Sequence, residues 1–124
     1  MATTCTIADG VVESVYAGNV SPAELERSFL AAIELARKCG VFLFYTDVAG
    51  LTGGHSAGDI FALIRMVETL QLPRTLREAI VFSPSSPLAL AALDVQFYED
   101  AARNRGWNVR LFQDRERALE WLKG

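Results

Sequence analysis

Val41-Phe42-Leu43-Phe44-Tyr45-Thr46-Asp47-Val48-Ala49-Gly50-Leu51-Thr52-Gly53-Gly54-His55-Ser56-Ala57-Gly58-Asp59 is the stretch on which the fold turns. Its first five residues are apolar without interruption, where a strand wet on one face would alternate. A continuous run suits a strand covered on both faces, as in a parallel sheet with helices above and below. The strand is expected to end near Asp47. A glycine-rich loop follows, and then a helix over about 57–71, with Ile60, Leu63, Ile64, Val67 and Leu70 on one face and Pro73 beyond its end.

On the N-terminal side, Cys5 to Ala8 and Val11 to Ala17 read as strands joined at Asp9-Gly10, a dipeptide that supplies positive φ to a two-residue hairpin. Ser21, Pro22 and Glu24 spell a helix cap, a first helical residue and a capping-box partner, with Val20 and Leu25 placed as the staple. Leu25, Phe29, Ala32, Ala36 and Cys39 form the apolar stripe, and Gly40 is the stop. On the C-terminal side, Glu78 to Phe82 is the next buried strand. The loop 83–87 leads to a long helix, with Ser86 as cap, Pro87 as first helical residue and Gly106 as stop. Trp107 to Phe112 is the last strand, and Asp114 caps a short helix with Ala118, Leu119, Trp121 and Leu122 inward. The order implies one α/β domain over residues 1–124: a hairpin, then repeated β-α units, with about five strands and four helices in a mainly parallel sheet.

The chain has 124 residues, 51% of them hydrophobic and 22% charged, which suits a single globular core. No stretch reaches the ~20 apolar residues of a membrane span, and the start lacks the pattern of a signal peptide. A cytoplasmic protein with no integral membrane segment is expected. The formal net charge of -3 argues against a nucleic-acid partner, which requires a basic surface. Arg103, Arg105, Arg110, Arg115 and Arg117 read as a solvated face interleaved with acids. Cys5 and Cys39 lack metal-ligand spacing and are expected to be reduced and mostly buried; no cofactor or metal is expected.

Gly54-His55-Ser56-Ala57-Gly58 fits the G-x-S-x-G of a hydrolase elbow. That chemistry needs a separate histidine later in the chain as base. His55 is the only histidine and is adjacent to Ser56, so no catalytic residue is assigned and the chain is read as non-enzymatic. A P-loop is excluded because no lysine precedes Ser56. The physics of a helix start remains: Ser56 as cap, Asp59 three residues on, and the amides of Ala57, Gly58 and Asp59 able to favour an anion.

Asp47-Val48-Ala49-Gly50-Leu51-Thr52, followed by Ser56-Ala57-Gly58 and an apolar helix, resembles the signature of STAS domains, the anti-sigma-factor antagonist and sulphate-transporter module. The element order and closing helix also resemble that SpoIIAA-like fold. The Gly-His-Ser loop, Asn104-Arg105-Gly106 and the terminal Ala118-Leu119-Glu120-Trp121-Leu122 are similar to an uncharacterised bacterial branch likened also to Sec14-type lipid binders. The resemblance implies a regulatory, protein-interaction role with a protein partner or homodimer, and an alternative as a Sec14-like binder of a small apolar ligand or lipid. In the family the phosphorylated hydroxyl immediately precedes the motif glycine. Here that position is Ala57 and the leading acid position is His55, which leaves Ser56 as the candidate phosphoacceptor.

The candidate partner or anion-binding residues are therefore Asp47, Gly54, His55, Ser56, Ala57, Gly58, Asp59 and Phe61. Phe61 joins them because it falls about 100° off the apolar stripe of its helix, near Arg65 and Glu68, and leans towards solvent. Asp94 interrupts the apolar arc of Leu90, Leu93, Phe97, Tyr98 and Ala101, where it could line a cavity or pair with Arg105. The aromatics as a group read most simply as core.

Overall fold

The computed structural model describes residues 2–83 and 92–124. Its elements are β1 (Ala2–Ala8), β2 (Val11–Asn19), α1 (Pro22–Cys39), β3 (Leu43–Gly53), α2 (Ala57–Glu68), β4 (Arg77–Val81), α3 (Ala92–Asn104), β5 (Asn108–Phe112) and α4 (Arg115–Lys123). The loop beyond Ser83, with the Ser86 cap and Pro87, lies outside the described residues, as does the side chain of Asp94.

The five strands lie in chain order, β1-β2-β3-β4-β5, with β1 antiparallel to β2 and every other pair parallel. The hairpin turns where expected, with Asp9 at φ 52° and Gly10 at φ 76°. When parallel strands follow in order, right-handed connections place the crossover helices on one face. Accordingly α1 packs on α2 and α2 on α3, while α4 contacts β3, β4 and β5.

Strand alternation divides the core between the two faces. Tyr16, Val48, Ile80 and Val109 meet Leu25, Ile60, Leu63 and Ile64 under α1 to α3. Tyr45, Ala79 and Val81 meet Ala118 and Leu122 of α4 on the other side. The uninterrupted apolar run that opens β3 follows from this double cover.

Three expectations change. β3 does not end at Asp47 but runs to Gly53, so half of the expected glycine-rich loop is strand. α2 ends at Glu68 rather than 71, because Thr69 caps it and Gln71 takes φ 52°. Cys39 is exposed rather than buried, and Cys5 is half-buried; residues 37–40 are all exposed, so the last turn of α1 clears the core.

Candidate functional site

The path of β3 sets the site. It pairs with β4 only as far as Asp47↔Val81, but with β2 as far as Asn19↔Gly53. Between Val15↔Asp47 and Ala17↔Gly50 the register shifts, so two residues of β3, Val48 and Ala49, stand against Tyr16 alone. Such a bulge leaves a backbone group without its ladder partner. Asp47 meets part of that need, its Oδ1 accepting from the Ala49 N–H at 2.9 Å.

Beyond the bulge the chain leans on Val20, the buried residue before the α1 cap. The Val20 N–H donates to the Gly53 carbonyl at 2.9 Å. Gly54 has φ +105°, and a Cβ there would lie 2.5 Å from the Val20 carbonyl oxygen and 2.7 Å from its nitrogen. Only glycine combines that backbone conformation with that approach. His55 Nδ1 lies 3.4 Å from the same carbonyl oxygen. The starts of α1 and α2 are thereby tied together through Val20.

Both starts carry a full capping box. In α2, the Ser56 N–H donates to Asp59 Oδ2 at 2.8 Å, the Ser56 hydroxyl donates to the same oxygen at 3.0 Å, and Ser56 Oγ accepts from the Asp59 N–H at 3.2 Å. The serine hydroxyl is thus held by Asp59, and no described hydrogen bond joins it to His55. These contacts give Ser56 the geometry of a cap, not that of an activated nucleophile.

One turn further, Phe61 is 39% exposed, as its helical position predicts, and Phe97 on α3 is 36% exposed. Their ring centroids lie 6.4 Å apart. The guanidinium of Arg105 stands 5.4 Å from the Phe61 centroid and that of Arg65 stands 6.0 Å away. Arg105 Nε is also 3.0 Å from Glu68 Oε1, and its Nη1 donates to the Ala101 carbonyl at 3.0 Å.

His55, Ser56 and Asp59 are therefore grouped at the start of α2, on the side of Val20, while Phe61 lies on another side of the helix, against Phe97 of α3. Asp47 is not with them: strand alternation places its side chain with Tyr45, on the face covered by α4. Gly54 and Gly58 contribute backbone; of Ala57 only the helical backbone is described.

A polar group inside the core was not singled out from the sequence. Glu78, 8% exposed, faces α1 to α3 from β4. Its Oε2 accepts from Thr46 Oγ1 at 2.8 Å and its Oε1 from the Tyr98 hydroxyl at 2.5 Å. Burial pushes the Glu78 carboxyl above its ordinary value, against the lowering effect of both hydrogen bonds. Burial likewise raises the Tyr98 phenol, with the neighbouring Glu78 adding to the effect. The signal was in the period: Glu78 shares the register of Ile80, so a carboxyl was due on a covered face. Among the described residues no cluster of three or more His, Cys, Asp or Glu could hold a metal ion, and no helix is long and apolar enough to cross a membrane.

No family model and no curated protein sequence matches the chain. Solved structures do. An uncharacterised protein of the DUF3478 family with a SpoIIAA-like fold, from Shewanella loihica PV-4, is 19% identical, with 98% of this chain and 92% of that one covered at a TM-score of 0.56. The protein TM1081, solved by NMR, is 13% identical, with coverage of 96% and 86% and a TM-score of 0.63. The anti-sigma factor antagonist SpoIIAA in its unphosphorylated form is 18% identical, with 99% of each chain covered at a TM-score of 0.56. The chain has a SpoIIAA-like fold.

Proposed function

We propose that this SpoIIAA-like domain is a non-enzymatic recognition module that docks a protein partner on the exposed surface of α2, from the capped start at His55, Ser56 and Asp59 to the ring of Phe61. The observation that carries the reading is the exposed Phe61–Phe97 pair, flanked by Arg65 and Arg105, beside a helix start already rigidified by its capping box. Aromatic and arginine side chains on a fixed scaffold are the groups that supply most interface energy. They lie next to a helix start whose leading amides favour negative charge.

A phosphoswitch at Ser56 is less well supported. Its hydroxyl already serves Asp59, and a phosphate would set ~1.5 to 2 negative charges against that carboxylate. A lipid is not favoured either. Two apolar cavities measure about 50 and 60 Å³, and a larger hollow of about 310 Å³, between Glu68, Arg74 and Arg105, is polar. Small-molecule pockets usually start at about 300 Å³, well above either apolar cavity.

The test is affinity capture from the native cell extract with wild type, Phe61→Glu and Leu30→Glu, the last altering an exposed apolar residue on α1. A partner retained by wild type and Leu30→Glu but lost with Phe61→Glu is the expected result. Equal retention by all three proteins, or no retained partner and no self-association of wild type by sedimentation, overturns the proposal.

A further inference from the structure

The buried carboxyl of Glu78 has more hydrogen-bonding capacity than its neighbours fill. An ionised carboxylate offers about four acceptor sites, and Thr46 and Tyr98 occupy two. Both of their hydroxyl protons are spent on it, so in its ionised form the group as a whole holds spare acceptors and no spare donor. Cavities of about 50 and 60 Å³ adjoin it, and Tyr16, Phe29, Thr46, Glu78 and Tyr98 line both. One extends to Trp107; the other extends to His55, beneath the loop before α2. Phe29 and Tyr98 meet edge to face with centroids 6.1 Å apart, which fixes two rings of the lining.

A carboxyl beside unfilled space is a poor way to build a core. A hydrophobe of similar volume would avoid the desolvation cost, and close packing is the norm in protein interiors. A carboxylate with spare lone pairs, aromatic rings around it and adjoining space suits one ligand chemistry well. An ammonium group donates N–H to the carboxylate and is attracted by ring faces, while its alkyl part fills apolar volume. We infer that the paired cavities bind a small primary alkylammonium ion, of about four to six non-hydrogen atoms by comparison with the ~150 Å³ apolar cavity that accepts benzene. Its nitrogen lies on the free lone pairs of Glu78 and its chain lies towards Leu51 and Ile60. The site shares only His55 with the docking surface, and its carboxyl and hydroxyls come from Glu78, Thr46 and Tyr98.

The probe is n-butylammonium chloride, titrated into the full chain near neutral pH and followed by amide NMR shifts, with n-butanol and butyrate as comparison arms. The expected result is saturable shifts around Thr46 and Glu78, with binding about tenfold tighter than butanol or more and none by butyrate. Glu78→Gln, which keeps the shape and removes the charge, is expected to weaken butylammonium by about tenfold or more while leaving butanol unchanged. Should that variant fail to fold, Tyr98→Phe keeps the carboxylate and is expected to retain the preference for the amine over butanol. Cavities that hold water only give no saturable shift, which overturns the inference. So do a preference for the amine smaller than this, butyrate binding, or an unchanged affinity in Glu78→Gln.

Discussion

Gly54 and Gly50 look alike in the sequence and differ in what they do. At Gly54 an added Cβ meets the Val20 backbone at 2.5 to 2.9 Å, where φ is already +105°. At Gly50 the nearest atoms are Ala17 Cβ, Ala17 Cα and the Tyr16 carbonyl oxygen at 3.4 to 3.5 Å, an ordinary contact. Gly54→Ala is therefore expected to cost about 3 kcal/mol, from strain plus the displacement of Val20. Gly50→Ala is expected to stay within about 0.5 kcal/mol. Urea unfolding of the two variants checks the contrast, and equal midpoints would mean that the loop does not lean on Val20. Ser56→Ala removes an acceptor for the Asp59 N–H and a donor to its carboxylate. It is expected to lose about 1 kcal/mol in the same assay. A larger loss would give Ser56 a role beyond the cap.

At the scale of the element, β3 shows where the sequence was legible and where it stopped. Its apolar run up to Tyr45 announced a strand covered on both faces, and both covers are present, α1 to α3 on one side and α4 on the other. Residues 48–53 gave no such sign. They continue as a ribbon paired with β2 alone, and that register depends on a bulge created by residues far away in the chain. Gly50, which locally signals a loop, stands here in the strand, paired with Ala17. The capping boxes at Ser21 and Ser56 were fully readable, because a cap is decided within four residues. The placement of Asp47 away from Ser56 was not, since it follows from which sheet face each strand residue takes. Asp47→Ala leaves the Ala49 N–H at the bulge without its acceptor. The expected loss is about 1 kcal/mol with an unchanged denaturant slope, measured by urea unfolding. A changed slope would show instead that the ribbon had come apart.

For the whole molecule, the polar group inside the core matters most, because its members come from β3, β4 and α3 and meet only once the sheet has formed. No local pattern joins Thr46 to Glu78 or Glu78 to Tyr98; the pairing follows from strand order and from the face α3 covers. Its consequence is a pH dependence of global stability. The folded value of Glu78 lies above the ordinary 4.5 that the unfolded chain retains. Well below 4.5 both states hold the proton and Glu78 contributes no slope. Between 4.5 and the raised folded value, the native state keeps a proton that the unfolded chain has released. The unfolded state then binds fewer protons, so stability falls as pH rises, by at most about 1.4 kcal/mol per pH unit, until the folded carboxyl ionises as well. Glu78→Gln removes this contribution and leaves other titrations in place. The stability of wild type minus that of Glu78→Gln, from urea midpoints at fixed ionic strength, is expected to decline above pH 4.5 and then level off. A difference that stays flat across that range would mean that Glu78 ionises in the folded core as readily as in water, and that the space beside it is wet enough to solvate the charge.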